Sequence, residues 1–437
     1  MVLAFSTQQV FAQKAKLSFI RDAEIEHTLR SYATPVFTAA GLNADDVSIH
    51  LINNKVINAF VAGGQRIFFF TGLLERIETP DQLKGVIAHE TGHIAAGDLA
   101  RTQNALKNAT TKSILGYILG AAAVIVGGGN AGLVVAGGAN TIAQKSFLKY
   151  SREQESAADQ ASIRFLNRLH TSGRGMVEFL KIIGESEKFS YGKIDPYWRT
   201  HPISYERVAA LKNQVEKSPY KDVKDTPEEI LALKKIQAKI YGYTKGLRRT
   251  LKKYPLEDQS EPARYARAIA YFKHPDIEKA MVEIDSLLAE FPDNPYYYEI
   301  KGQMLYENSD IQGALPALEV AVELAPDEPL ILTLYGTVLL STGAPEDDRL
   351  AISILRNSIL YDRYNQSTWQ QLAIAYSRIG DVGNLALASA ERFLLQGQSK
   401  KAVFHAKRAQ ENMSAGSPGF LRADDIVFLA NQQMKKK

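Results

Sequence analysis

Two histidines four residues apart bracket a glutamate in the stretch His89-Glu90-Thr91-Gly92-His93. On an α-helix, positions i and i+4 lie one turn apart on the same face. Both imidazoles can therefore aim at a single Zn²⁺, with metal–nitrogen distances of ~2.0–2.1 Å. Glu90 falls on the neighbouring angle, where its carboxylate can take a proton from an attacking water. A catalytic zinc needs a third protein ligand and one open position. The residues after His93 read Ile94-Ala95-Ala96-Gly97-Asp98-Leu99 and hold no histidine, which excludes the metzincin arrangement. Downstream, Ser151-Arg152-Glu153-Gln154-Glu155-Ser156-Ala157-Ala158-Asp159 places Glu155 and Asp159 again at i and i+4. One of the two can bind metal while the other hydrogen-bonds a ligating histidine and fixes its tautomer. Glu155 is the expected third ligand and Asp159 its support. Glu153 competes, but its i+4 companion is Ala157. The chain has no cysteine, so any metal must be held by His, Asp or Glu.

The elements around this motif are legible in outline. Thr79-Pro80-Asp81-Gln82 announces a helix, with Thr79 as N-cap, Pro80 at the first position and Gln82 completing a capping box. That helix should run to about Ala100. Val47 to Ile52 alternates as a strand, and Ile57 to Gly72 reads as two short strands around Gly63-Gly64. Ala157-Ala158 leave room for the Glu155 helix to press against the histidine helix. Asp225-Thr226-Pro227-Glu228-Glu229 opens a further helix, which leads to the basic cluster Arg248-Arg249 and Lys252-Lys253, a solvated face before Pro255.

Two segments bear on membranes. Residues 1–12 (MVLAFSTQQVFA) read either as the remnant of an export signal or as a frayed terminus, since the basic start of a signal is missing. Ser113 to Gln144 is a run of 32 residues without charge. Gly127-Gly128-Gly129-Asn130 cuts it into halves of about 14 residues, each reaching only ~21 Å as a helix. A helical hairpin packed in the protein, or dipping into a membrane surface as a peripheral contact, fits better than a span.

From about Pro262 the sequence repeats. Ala268, Gly302 and Gly336 are 34 residues apart, the period of the tetratricopeptide repeat. Further small positions follow at Ala280, Ala314, Ala321, Gly343 and Ser358, and three extra residues near Glu346-Asp347-Asp348 shift the third repeat. A fourth repeat begins near Trp369, and a fifth, read only in part, carries Gly397, Ala402 and Ala409. The small residues sit where helices of a stack approach most closely, and such a solenoid binds other proteins.

Here the pattern becomes specific. His89-Glu90-x-x-His93 with Glu155-x-x-x-Asp159, preceded by Asn58-Ala59-Phe60 and Gly72-Leu73-Leu74, resembles the zinc metallopeptidase family of the CAAX prenyl protease and HtpX. With a repeat array behind the peptidase, the chain is similar to the periplasmic members with a C-terminal tetratricopeptide domain. The fold expected is an α+β, mostly helical, zincin-type peptidase domain over 14–217. A helical connector follows over 218–260, then an all-α tetratricopeptide solenoid over 261–437. The resemblance implies that Ile57 to Val61, through Asn58, Ala59 and Phe60, pairs with substrate backbone as an edge strand. It implies that His201, in Thr200-His201-Pro202, plugs the open metal site as a fourth ligand. Arg207 or His201 would stabilise the oxyanion or position substrate. Relatives of this type can carry a disulfide between their domains, which a chain without cysteine cannot form.

The expected activity is that of a latent zinc-dependent endopeptidase with one Zn²⁺. It would act in periplasmic quality control on misfolded or stalled outer-membrane proteins, with the solenoid docking substrate or the assembly machinery. The alternative is a chaperone or assembly factor with a plugged or structural zinc. A net charge of +4, from 52 basic and 48 acidic residues, gives nucleic-acid binding no support.

Overall fold

The computed structural model describes residues 18–98, 141–188, 201 and 204–435. The segments 1–12 and 113–140, and the Thr200 and Pro202 neighbours of His201, lie outside the described residues. The chain divides into two compact units, Met1–Arg21 with Ile25–Ile240 and Asp22–Glu24 with Tyr241–Lys437.

In the first unit, strand β1 (Phe19–Ile20) and helix α1 (Ala23–Ala39) precede β2 (Ser48–Ile52), β3 (Ala59–Val61) and β4 (Arg66–Phe70). The sheet order is β1-β2-β4-β3. β2 and β4 run parallel, while β1–β2 and β3–β4 are antiparallel. The expected pair of short strands is β3 and β4, turned by Gly63 at φ 61° and Gly64 at φ 100°, values open to glycine without a Cβ penalty. Alternation along the strands sends Leu51, Ala59, Ile67 and Phe69 into the core and leaves His50, Phe60 and Phe68 on the other face.

Helix α2 (Thr71–Arg76) leads to α3 (Pro80–Ala96), the histidine helix. Its start is as the sequence predicts: Thr79 accepts a hydrogen bond from the Gln82 amide at 3.3 Å, with Pro80 at the first position. Its end comes earlier than Ala100. Gly97 adopts the left-handed conformation at φ 67°, and its N–H bonds the carbonyls of His93 and Ile94, a glycine C-cap that stops the helix. Leu83, Val86 and Ile87 bury its inner face against the sheet residues Leu51, Ile67 and Phe69.

Among the described residues four further helices follow, the last of them running on into the second unit: α4 (Thr141–Arg168), α5 (Arg174–Lys188), α6 (Tyr205–Glu216) and α7 (Pro227–Lys245). Glycines on α3 let two of these helices approach closely. A Cβ on Gly92 would stand 3.0 Å from Ala158 of α4, and one on Gly85 2.7 Å from Met176 of α5. Of the two alanines expected to make room, Ala158 is buried there and Ala157 is exposed. α7 opens on a reciprocal capping box, with the Glu229 amide donating to Thr226 and the Thr226 amide to Glu229. Just before it, Asp225 accepts from the Asp81 amide at 2.9 Å and from Lys84 at 3.2 Å, tying down the start of α3. Leu233, Ile236 and Ile240 of α7 lie in the first unit's core, so the division between units falls inside 218–260.

The second unit is helical. After α8 (Leu247–Lys253), helices pair as α9 (Glu261–Lys273) with α10 (Ile277–Glu290), α11 (Pro295–Glu307) with α12 (Ile311–Leu324), and α13 (Pro329–Thr342) with α14 (Pro345–Tyr361). Then come α15 (Gln366–Arg378) with α16 (Val382–Leu395) and α17 (Ser399–Glu411) with α18 (Pro418–Lys435). The positions spaced 34 apart are buried in the first three pairs, and in the second and third they mark the helix crossing. A Cβ on Gly302 would stand 2.4 Å from Leu318, and one on Gly336 2.6 Å from Leu355. The extra residues of the third repeat lengthen α14 to 17 residues against 14 in α10 and α12. The fifth repeat is a full pair around Ala402, Ala406, Ala409, Ala423 and Ala430.

Because Leu318 is fully buried and cannot yield, Gly302→Val should cost about 1–3 kcal/mol through overpacking. Chemical denaturation of the full chain reads this as a lower midpoint, and an unmoved midpoint contradicts the crossing.

Candidate active site

α3 presents His89 and His93 on one face, and α4 brings Glu155 and Asp159 against it. His201, just ahead of α6, completes a cluster. One ligand atom each from His89, His93, Glu155 and His201 lie within 4.8 Å of one another. The individual separations are tighter. Nε2 of His89 lies 3.2 Å from Nε2 of His93 and 3.3 Å from Nδ1 of His201. The Glu155 oxygens lie 3.3 Å from His89, 3.2 Å from His93 and 3.1 Å from His201.

The far side of each histidine explains why these are not ordinary hydrogen bonds. His89 Nδ1 faces Asp159 at 3.0 Å and His93 Nδ1 faces Asp98 at 2.9 Å. With a carboxylate beside each Nδ1, the Nδ1–H tautomer is favoured, and a neutral ring then turns its Nε2 lone pair toward the other histidine and toward Glu155. Lone pairs facing one another at 3.2 Å repel unless a cation lies between them. A tetrahedral ion with ligands at ~2.0–2.1 Å sets its ligands ~3.3 Å apart, which these separations match. The donor set, two or three imidazoles with a carboxylate, is one that zinc accepts.

Without a cation, protons take its place. Burial works against a charged His93 ring, but hydrogen bonds to Asp98 and Glu155 and the nearby Glu90 charge outweigh it and hold the group up at about 10. His89 is likewise raised, burial being overcome by Asp159 and Glu155. Glu155 is buried, yet His201, His89 and His93 pull its carboxyl well below the usual range.

Glu90 is fully buried, and neither of its oxygens accepts a hydrogen bond from a described residue. His201 Nε2 lies 3.4 Å from its Oε1. A buried carboxylate without a donor is costly, and this one borders the cluster. The competing Glu153 is exposed, which removes it from the site. His201 is buried and does not cap α6; Ser204 does, accepting from the Arg207 amide at 3.2 Å. The His201 Nε2 instead lies 3.2 Å from the carbonyl of Ala59, on β3.

Arg207 differs from expectation. Its guanidinium holds Asp159 at 2.9 Å and Glu155 at 2.7 Å, behind the cluster. Its charge orients these two acids rather than meeting an oxyanion. Asp98, which bonds His93, is a site residue that the motif spacing does not single out. The available signal was a carboxylate just past the Gly97 cap, where the chain doubles back toward the last turn of α3.

Residues 20–215 match the metallopeptidase family M48, and paired helices at the tetratricopeptide period follow this part of the chain. Over 393 residues the chain is 24% identical to the beta-barrel assembly-enhancing protease of Escherichia coli strain K12, covering 88% of this chain and 79% of that protein. The protein of the same name from Yersinia pestis is 23% identical over 398 residues, 89% and 80% of the two chains. The mitochondrial metalloendopeptidase OMA1 of Schizosaccharomyces pombe is 24% identical over 193 residues, 43% of this chain and 52% of that one. Among solved structures, a chain of an APC/C hetero-tetramer aligns at 14% identity and a TM-score of 0.32, over 80% of this chain and 73% of that one, too low to carry an argument.

Two predictions follow from the protonation of the cluster. With His93 held at about 10 before metal enters, zinc binding at pH 7.5 must expel its proton, so affinity rises with pH. Calorimetry in buffers of different ionisation enthalpy should show release of at least one proton, and a buffer-independent enthalpy contradicts the competition. Asp98→Asn and Asp159→Asn should each weaken zinc retention by about 10–100-fold, measured by chelator competition. Wild-type retention in Asp98→Asn contradicts its role on His93.

Proposed function

We propose that the protein is a latent zinc-dependent endopeptidase of the bacterial envelope, with one Zn²⁺ held by His89, His93 and Glu155. The observation that carries this reading is the ring of donors 3.1–3.3 Å apart beside a buried Glu90 whose oxygens accept no hydrogen bond from a described residue. When bound, zinc supplies Lewis acidity, polarising the scissile carbonyl and making water a better nucleophile near neutral pH. Glu90 takes the proton of the attacking water and delivers it to the leaving amine nitrogen. Asp159 and Asp98 hold the two histidine tautomers, and Arg207 fixes Asp159 and Glu155. Substrate lies along β3, pairing with its backbone.

In this scheme His201 is the latch. Its Nδ1 stands where a fourth ligand would, and its Nε2 takes the Ala59 carbonyl that a substrate strand needs. Substrates are proposed to be misfolded or stalled outer-membrane proteins in the periplasm, docked by the solenoid, whose repeats suit protein recognition. Support comes from relatives named for enhancing β-barrel assembly, aligned over most of both chains. No helix among the described residues is long and apolar enough to cross a membrane.

The same His201 contact favours a second reading, a chaperone or assembly factor whose zinc is permanently four-coordinate. Zinc content and casein cleavage, measured together for wild type, Glu90→Gln and His201→Ala, separate the two. Glu90→Gln should keep its metal and lose cleavage by at least about 100-fold, while His201→Ala should cleave faster than wild type. Cleavage by Glu90→Gln removes the general-base assignment. If all three hold zinc and none cleaves, the chaperone reading stands instead.

A further inference from the structure

The face of the sheet turned away from the core carries a row of rings. Phe60 stacks on Phe68 with centroids 4.9 Å apart and planes 12° from parallel, and Phe68 stacks on His50 at 4.9 Å and 22°. Phe19, itself 53% exposed, meets His50 edge-on at 6.3 Å. The row follows the register, in which Phe60 is paired with Phe68 and Phe68 with His50. It crosses the described sheet and ends at Phe60, because β3 is the last strand in the order.

That end coincides with the strand edge facing the metal cluster. The Phe70 amide donates to the Asn58 carbonyl and the Ala62 amide to the Arg66 carbonyl. With a period of two, the backbone groups of Asn58, Phe60 and Ala62 turn toward β4, and those of Ala59 and Val61 turn toward the open edge. The contact of His201 with the Ala59 carbonyl agrees. A strand that pairs with Ala59 and Val61 extends the sheet by one. It must then set one side chain directly beside Phe60, ~4.5–5.5 Å away between Cβ atoms.

We propose that Phe60 is a specificity-determining residue, selecting substrate segments that are extended and place an aromatic side chain next in the His50–Phe68–Phe60 row. This rests on the peptidase reading above and deepens it. The substrate class it names is an unpaired β-strand with aromatic or large apolar residues at alternate positions, one of them beside Phe60. Such a segment is what an unfolded β-barrel strand exposes. A helical or glycine-rich segment offers neither the backbone ladder nor the side chain.

The test is a binding cycle, made in a Glu90→Gln/His201→Ala background so that the edge is open and nothing is turned over. Fluorescein-labelled decapeptides of alternating Thr and Ala, each with a single Phe moved along the chain, are titrated by anisotropy with zinc-loaded protein. One Phe position should bind about 2–10-fold tighter than the peptide without Phe, the size of one aromatic pair. Adding Phe60→Ala should erase that advantage, and Phe60→Leu, which keeps apolar volume but not the stacked ring, should retain part of it. An advantage that survives Phe60→Ala, or no advantage at any position, overturns the proposal. Should Phe60→Ala not fold by circular dichroism, Phe60→Leu decides: an unreduced preference for the Phe peptide overturns it. Cleavage of the same peptides by His201→Ala is scored separately. Coupled binding without cleavage leaves this inference standing and sinks the peptidase reading, whereas cleavage without coupling does the reverse.

Discussion

Three imidazole nitrogens and a carboxylate meet with their lone pairs facing one another at hydrogen-bond distance, and this concentration of donors is what the first unit is built to hold. Left bare, it must be filled by protons, which is why burial fails to push His93 down. The groups that crowd it from outside, Asp159, Asp98 and Arg207, all act to keep those lone pairs pointing inward. The small residues of α3 and α4 serve the same end. Gly92 against Ala158 brings the two helices close enough for Glu155 to reach both histidines. The cap at Thr79 and the tie from Asp225 set where α3 begins, and so fix the height of His89 and His93 on it. Gly97 then turns the chain so that Asp98 returns to His93.

His201 links this centre to the sheet. One ring nitrogen lies among the donors and the other lies on the carbonyl of an edge strand. In the proposed scheme a single side chain therefore occupies both the ligand position and the first substrate hydrogen bond. Opening one opens the other, so access to the metal and access to the strand edge are governed together. The solenoid is built on a different rule, spacing. Its glycines recur at the period at which paired helices cross, and adding three residues to one helix lengthens it without disturbing the next repeat.

Features set by local sequence could be read directly. The helical face shared by His89 and His93, the cap at Thr79, the hairpin at Gly63-Gly64 and the period of 34 each depend on neighbours within a few residues, or on strict repetition. The pairing of Glu155 with Asp159 was visible as i and i+4, although which residue faced which histidine required the packing of α4 on α3. Long-range encounters were not readable. The sheet order β1-β2-β4-β3 depends on a parallel pairing that no turn dictates. Arg207 looked available because its two carboxylate partners lie more than forty residues earlier. Asp98 is not singled out by local pattern, because the known ligand spacing after His93 concerns only a further histidine. The apolar pattern alone carries the helix past Gly97, and the left-handed turn there is what brings Asp98 to His93.

The central claim is that one zinc ion resolves the conflict among these donors. X-ray absorption at the zinc edge of the stoichiometrically loaded full chain tests it most directly. The account predicts a four-coordinate site with only nitrogen and oxygen neighbours at ~2.0–2.1 Å and imidazole scattering from at least two histidines. It also predicts that His201→Ala lowers the imidazole count by one while zinc stays bound. A six-coordinate, water-dominated spectrum without imidazole scattering, or a protein that takes up no zinc, would contradict it.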